Sequence, residues 1–416
     1  MSYPDSVRYL YALGNELKAG AKFGLERMEI LLREIGNPER GQPFVHVAGT
    51  NGKGSTCAMI ASMLRSAGKR TGLYTSPHLI EPTERIQIDG VAVTQEEFAS
   101  SFEIVHAAAE RLIEANRIDA HPSYFETVTA MAFLIFRESC DISVIEVGLG
   151  GRLDATNVIT PRISVITPVS FDHESFLGNT LESIAGEKAG ILKPGVPAVI
   201  SRQAPEVEGL IRMRAQEVGC EVISADRAPE NIFVSPQGAK FELDGIAYEC
   251  PLAGRHQIEN ALTAIIVCEK LDLESRAIQS GLKETRWPGR LEIVRRTPDF
   301  ILDGAHNPAG ARALASYIRE FRSGSPVWMV YGAMRDKAIE EVTAQLFPLA
   351  DRLILTAPDF PRALRPQAIL DVQDHANVTV THSLPEAIAI AQTAPPNAAV
   401  FFSGSLYLVG EARKLL

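Results

Sequence analysis

The segment Phe44-Val-His-Val-Ala-Gly-Thr-Asn-Gly-Lys-Gly-Ser-Thr56 restricts the fold of this chain more than any other stretch. An apolar run of strand type ends in a glycine-rich turn, and a helical pattern starts at once: Met59, Ile60, Met63, Leu64 and Ala67 recur at helical spacing before Gly68. Strand, tight turn and helix make the first half of a βαβ unit, which belongs in a parallel sheet. Glycines let successive N–H groups face one anion, the helix N-terminus adds partial positive charge, and Lys53 can reach terminal phosphates. Gly49, Thr50, Asn51, Gly52, Lys53, Gly54 and Ser55 are therefore the candidate phosphate cradle. The spacing departs from GxxxxGK[ST], because Gly49 stands three residues before Gly52 and Gly54 separates Lys53 from Ser55.

The alternation continues. Further strand-like runs at 71–75, 142–147, 163–167 and 197–201 are separated by helical stretches. Residues 231–251 carry Pro-Gln-Gly and Leu-Asp-Gly turn signals between short alternating runs, which predicts antiparallel hairpins; a helix over 258–271 follows. Pro and Gly punctuate 287–298, and strand–helix alternation restarts at Phe300 and runs through 327–331, 352–356, 378–381 and 399–403. The expected fold is α/β: a mainly parallel sheet domain over 1–295 with a small antiparallel insertion, and a smaller Rossmann-like α/β domain over 296–416. A length of 416 residues suits two or three domains. A net charge of 41 − 51 = −10, without a basic block, argues against nucleic acid or an anionic membrane as main partner. The longest nearly apolar run, 128–136, is too short to span a bilayer, and Asp5, Arg8, Asn15, Glu16 and Lys18 interrupt any signal-peptide core. Five cysteines, odd in number and never in CxxC, predict neither a disulfide framework nor a zinc knuckle. A cytoplasmic enzyme is expected.

In such a sheet, ligands gather beyond the carboxyl ends of the strands. Three polar groups fall there: Ser76 in Thr75-Ser-Pro-His78, Glu146, which interrupts an apolar strand, and His173 in Asp172-His173. Each alone has an ordinary structural explanation; together, beside a phosphate loop, they suit Mg²⁺. The Gly148-Leu-Gly150-Gly151 run is not a dinucleotide fingerprint, since GxGxxG would need glycine where Leu153 stands.

The order of these motifs resembles the bacterial folylpolyglutamate synthases and dihydrofolate synthases, members of the Mur ligase group. FGLERM (23–28), HVAGTNGKGST, TSPHL, ERI, EVGLGGRLDATN, DH, EKAGILKPG, GRHQIENA, PGRLE, DGAHNP and GSLYLVGEAR follow in family order over nearly the whole chain. The resemblance implies that ATP phosphorylates a substrate carboxylate and that the amine of L-glutamate attacks the acyl phosphate. It implies catalytic roles for Lys53, His173 and Lys188, with Lys188 carbamylated, although a lysine on a helix would by itself be read as solvated. It implies two magnesium ions, with Ser76, Glu146 and His173 as ligands. Asn260, Arg290, Asp303 and His306 would complete the nucleotide site, between the domains; Asp303 and Asn307 could equally cap the next helix. Tyr124, Phe125 and Glu126, with Arg152 and Asp154, would line the pterin pocket, the first three competing with a plain reading as the start of a buried helix. Glu81-Pro82, after TSPHLI, departs from the basic or aliphatic residue common in relatives.

The expected substrates are thus ATP, L-glutamate and dihydropteroate or a reduced folate, handled by a monomer. A bifunctional enzyme is expected, with a monofunctional folylpolyglutamate synthase as the alternative. A ligase acting on a UDP-linked peptidoglycan precursor would need a further domain ahead of the loop, and 48 residues precede Gly49. A P-loop switch protein would turn over ATP without needing glutamate and a pterin acid.

Overall fold

The computed structural model describes residues 1–14, 24–335, 338–372 and 375–416. Asn15, Glu16, Lys18 and Phe23 lie outside them. The chain divides into two compact units, one made of 1–169, 181–227 and 260–284, the other of 170–180, 228–259 and 285–416.

The first unit is built on eight strands: β1 (Phe44–Ala48), β2 (Thr71–Tyr74), β3 (Ile86–Ile88), β4 (Val91–Ala92), β5 (Ile142–Glu146), β6 (Ile163–Ile166), β7 (Ala198–Ile200) and β8 (Val222–Ser224). They lie in the order β4-β3-β2-β5-β1-β6-β7-β8, parallel from β2 to β8, with β3 and β4 as an antiparallel edge. The central strands β1, β2, β5 and β6 are buried along their whole length, as strands covered on both faces of a parallel sheet require. The chain leaves β1 for β2 and β5 on one side and then crosses to β6 on the other. The carboxyl end of β1 is therefore the point where strand order reverses, the position at which open α/β sheets hold ligands. Helices Tyr3–Ala12, Glu26–Glu34, Gln95–Glu114 and Tyr124–Ser139 contribute to one apolar cluster with Phe44, Tyr74 and Ile145.

The second unit holds two sheets. One is the antiparallel set β9 (Glu230–Ser235), β10 (Gly238–Leu243) and β11 (Ile246–Cys250), in agreement with the turn signals of 231–251. The other has six strands: β12 (Glu292–Arg295), β13 (Asp299–Leu302), β14 (Val327–Tyr331), β15 (Arg352–Leu355), β16 (Val378–Val380) and β17 (Ala399–Ser403), ordered β12-β13-β17-β14-β15-β16 and parallel except for β12. The expected α/β class, with an antiparallel insertion and a C-terminal parallel sheet, is the one observed. The 295/296 position falls in the turn of the β12–β13 hairpin.

Candidate active site

Strand register explains why residues far apart in sequence share one end of the first sheet. Val47 of β1 pairs with Glu146 of β5, Ile145 pairs with Tyr74 of β2, and Ala48 pairs with Ile166 of β6. Gly49, Ser76, Glu146 and Thr167 are thereby carried to the same carboxyl edge. There the main chain turns tightly: Thr50 and Asn51 donate their N–H groups to the Pro168 carbonyl at 3.0 and 3.2 Å.

Gly52 ends the turn with φ 81° and caps helix Lys53–Ser66. Only glycine adopts this conformation without strain, and a Cβ here would stand 2.2 Å from Asn260 Oδ1. Gly52 brings no side-chain oxygen to the helix end, and the first helical turn carries no acidic residue. The positive end of the helix macrodipole thus faces the strand-end crevice ready for an anion. Lys53 stays close, its Nζ 3.4 Å from the Thr50 carbonyl. Asn260, on helix His256–Lys270, is buried against this turn.

Glu146 is 4% exposed, and its Oε2 accepts the backbone N–H of Ser76 at 3.1 Å. A hydroxyl and a carboxylate at one strand edge are hard oxygen donors, the set that suits Mg²⁺. Lys188 is also 4% exposed rather than solvated, and its Nζ donates to the Gly49 carbonyl at 2.9 Å. Its helix, Leu181–Ala189, can come this close because residue 151 has no side chain: a Cβ there would lie 2.6 Å from the Glu187 carbonyl. Gly148 in turn accommodates the Phe125 ring, with a would-be Cβ 2.5 Å from its Cζ. Gly148 and Gly151 thus serve close packing.

The remaining candidates of this unit are held in structural bonds. Tyr124 and Phe125 open helix Tyr124–Ser139, and Glu126 forms a capping box with Ser123 while accepting Arg27 Nη2 at 2.7 Å. The Arg85 guanidinium lies 4.9 Å from the Tyr124 ring centre and donates through Nε to His78 Nδ1 at 2.9 Å, so Arg85, His78 and Tyr124 form one buried-edge cluster. Of these three, sequence reasoning selected only Tyr124; the ERI motif was the available signal for Arg85. Arg152 is exposed and pairs with Glu187 at 2.7 Å. Asp154 is buried, accepts N–H bonds from Leu149 (2.9 Å) and Thr156 (3.0 Å), and its pKa is raised by burial against these bonds. Thr156 Oγ1 also lies 2.8 Å from His46 Nε2, and burial, aided by Lys193, lowers the His46 pKa to about 3.

The second unit gathers its own candidates. Asp303, just past β13, accepts N–H bonds from Leu291 through Oδ2 and from Ala305 through Oδ1, both at 3.0 Å. Burial raises its pKa and nearby Arg290 opposes the rise. A carboxylate offers about four acceptor positions, so two remain for a ligand hydroxyl. Arg290 packs along Gly304, and His306 holds the Gly304 carbonyl through Nδ1 at 2.8 Å. Asp172 is a further residue not selected from the sequence. It accepts Asn307 Nδ2 at 3.0 Å and lies 3.4 Å from His306 Nε2 and 3.9 Å from His173 Nε2. His173 has φ 52°, a conformation unusual for a non-glycine residue. Asn307 caps helix Pro308–Phe321 through Gly310 N–H, as the capping alternative expected, and reaches Asp172 as well. Ser76 and Glu146 thus meet in the first unit, while His173 belongs to the second.

Comparison with known proteins bears on this arrangement. Residues 47–268 match the Mur ligase middle domain, and residues 289–406 match the Mur ligase glutamate ligase domain. A dihydrofolate synthase/folylpolyglutamate synthase of Bacillus subtilis is 36% identical, covering 100% of this chain and 99% of that protein. A folylpolyglutamate synthase of Lacticaseibacillus casei is 33% identical with the same coverage. Among solved structures, a Mycobacterium tuberculosis folylpolyglutamate synthase complexed with ADP and AMPPCP superposes with a TM-score of 0.91 at 32% identity, over 100% of this chain and 99% of that one. Escherichia coli FolC in complex with DHPP and ADP gives 0.87 at 31%, over 99% and 97%. With full-length relatives, both domain matches and the loop, strand-end and glycine geometry in accord, this chain belongs to the dihydrofolate synthase/folylpolyglutamate synthase family of Mur ligases.

Proposed function

We propose that this chain is an ATP-dependent amide ligase that adds L-glutamate to dihydropteroate and to reduced folates through an acyl phosphate. The observation that carries the reading is the edge of the first sheet, where a helix N-terminus with Lys53 follows β1 and a buried Glu146 ends the neighbouring strand. The γ-phosphoryl group of ATP passes to the substrate carboxylate, leaving ADP; the glutamate amine then displaces phosphate and forms the amide. Little covalent work falls to the protein, which positions the reactants and stabilises charge. Gly49–Ser55 cradle phosphates, with Asn260 fixing the turn, and Lys53 neutralises the β/γ oxygens. Ser76, Glu146 and His173 would hold magnesium, which would supply positive charge to offset that on the transferring group. Arg290, Asp303 and His306 serve the nucleotide, and Tyr124, Phe125, Glu126, Arg152 and Asp154 shape or support the pterin pocket. The division at 295/296 keeps the phosphate loop and the metal ligands on its first side and Asp303 and His306 on its second.

Lys188 enters this reading as a carbamate. Its amine would take up CO₂ with loss of a proton, turning a cation beside Gly49 into a carboxylate able to hold metal. The buried position of Nζ supports this, because an unmodified ammonium there is costly.

The test is ADP release with Mg²⁺, ATP and L-glutamate, with dihydropteroate in one sample and a reduced monoglutamyl folate in another. Stimulation by both identifies a bifunctional enzyme and by the folate alone a monofunctional folylpolyglutamate synthase. Stimulation by neither overturns the assignment.

A further inference from the structure

Away from the strand-end site, three side chains converge that the ligase reaction does not use. His106 and Glu110 lie one turn apart on helix Gln95–Glu114, and His121 lies in the segment leading to helix Tyr124–Ser139. One ligand atom from each falls within 4.8 Å of the others. His106 Nδ1 is 3.2 Å from His121 Nε2 and 3.8 Å from Glu110 Oε1. Metal–ligand bonds of about 2.0–2.1 Å in a tetrahedron separate the ligand atoms by about 3.3 Å. The two imidazole nitrogens are already at that spacing. The Glu110 side chain is 47% exposed, so a small rotation brings its carboxylate in.

The surroundings match what a metal-binding histidine needs. His121 Nδ1 lies 2.8 Å from the Pro122 carbonyl; the oxygen can only accept, so Nδ1 carries the proton and Nε2 presents its lone pair toward His106 and Glu110. A backbone carbonyl on the far nitrogen is the usual device for fixing the tautomer and ring plane of a metal ligand. The His106 ring packs against Phe102, stacked at 5.4 Å, and against Tyr9 at 4.5 Å, and Tyr9 also donates its hydroxyl to Glu110 Oε1 at 3.5 Å. Aromatic contacts on His106, the Tyr9 hydroxyl on Glu110 and the Pro122 carbonyl on His121 thus orient the three side chains before any ion arrives.

We propose that His106, Glu110 and His121 form a binding site for a borderline divalent transition-metal ion of the Zn²⁺ class. Two imidazoles and one carboxylate select such an ion over Mg²⁺, which prefers an all-oxygen shell. Three protein ligands leave the fourth position to water. The bound ion would tie helix Gln95–Glu114 to the segment that ends at Ser123, the cap of helix Tyr124–Ser139. With no ion bound, His106 Nδ1–H donates to His121 Nε2, so binding displaces that proton. The site is independent of the ligase reading and stands if that reading fails.

The test uses the full chain with excess Mg²⁺ to occupy oxygen-donor sites, and measures Zn²⁺ binding by competition with a chromophoric chelator. The expected result is one Zn²⁺ per chain, with affinity reduced at least about tenfold in His106→Gln and in His121→Gln. Tyr9→Phe, which keeps all three ligands and the ring wall, should weaken binding by a smaller factor and covers the case in which a histidine variant fails to fold. Co²⁺ should give the intense visible bands of a tetrahedral site, absent in His121→Gln. Absence of Zn²⁺ binding, or binding and Co²⁺ spectra unchanged in folded variants, overturns the proposal.

Discussion

Lys188 shows how far a single residue can depart from what its local sequence suggests. A lysine in the last turn of a helix belongs in water by composition and favours the helix dipole there, yet this one is buried against the Gly49 carbonyl. The cause lies in other residues: Gly151 lets the helix approach the loop that follows β5, and no local pattern around Lys188 reveals it. If the side chain works as a carbamate, Lys188→Ala should lower turnover by about 10- to 100-fold, the range seen when metal-supporting groups are lost. Added formate or acetate should restore part of it, and Lys188→Arg should behave like the alanine variant. Full activity in Lys188→Ala contradicts the role. Glu146 was readable for the opposite reason, since a carboxylate inside an apolar strand is conspicuous. Asp172 was not: in sequence it is one acid in a loop, and its meaning comes from Asn307 and His306, over a hundred residues away.

At the scale of elements, helix Tyr124–Ser139 carries the clearest competition between function and structure. Ser123 and Glu126 cap each other's backbone, and Glu126 also holds Arg27. Replacing Glu126 by Ala should cost about 1–3 kcal/mol, because the cap is lost and Arg27 is left unpaired. A thermal melt would show it. A raised KM for the pterin substrate with an unchanged melting temperature would instead mean that Glu126 acts by touching substrate.

The central strands were legible because burial on both faces makes them mostly apolar. The edge hairpin β3–β4 escaped, although Asp89-Gly90 between Ile88 and Val91 is a two-residue turn with φ of 52° and 80°, the pattern an Asp-Gly pair favours. Strands of three and two residues give too short an alternation to stand out. The antiparallel β12 was hidden similarly, by the Pro and Gly around it that read as a boundary. His106 and His121 meet only because a helix and the following loop fold back, which no spacing rule announces.

Across the whole molecule, buried His46 and half-buried His78 and His256 make stability depend on acidity. Burial holds His46 at about 3, His256 at about 4, and His78 well below the ordinary value, with Lys193, Arg290 and Arg85 reinforcing the respective shifts. Folded-state values below that of the unfolded chain mean that the unfolded chain takes up protons first. Their stabilisation is complete above about pH 6.5 and is withdrawn as pH falls toward 4 and 3, by up to about 1.4 kcal/mol per pH unit for each group. Asp154 and Asp303, raised by burial, act in the opposite direction: the penalty of ionising them in the fold is relieved in acid. Comparing melting temperatures at pH 7 and pH 5 isolates one histidine. His46→Gln should lose less on acidification than the unaltered chain, and an equal loss contradicts the assignment.

The acidity of the chain also acquires a meaning at this scale. A net charge of −10 suits neither nucleic acid nor an anionic membrane, yet the proposed substrates are all anions. They would be met locally, by a helix N-terminus, Lys53 and Arg290, and by magnesium that draws on acidic side chains. No helix of the described residues is long and apolar enough to cross a membrane.

Ligation through an acyl phosphate carries one carboxylate oxygen of the acid substrate into the released phosphate. Dihydropteroate or a reduced folate labelled with ¹⁸O in its carboxylate is incubated with ATP, Mg²⁺ and L-glutamate, and the released phosphate is analysed by mass spectrometry. The expected result is one ¹⁸O in each phosphate, formed together with one glutamylated product and one ADP. Unlabelled phosphate, or ADP formed without need of glutamate and the pterin acid, would contradict it.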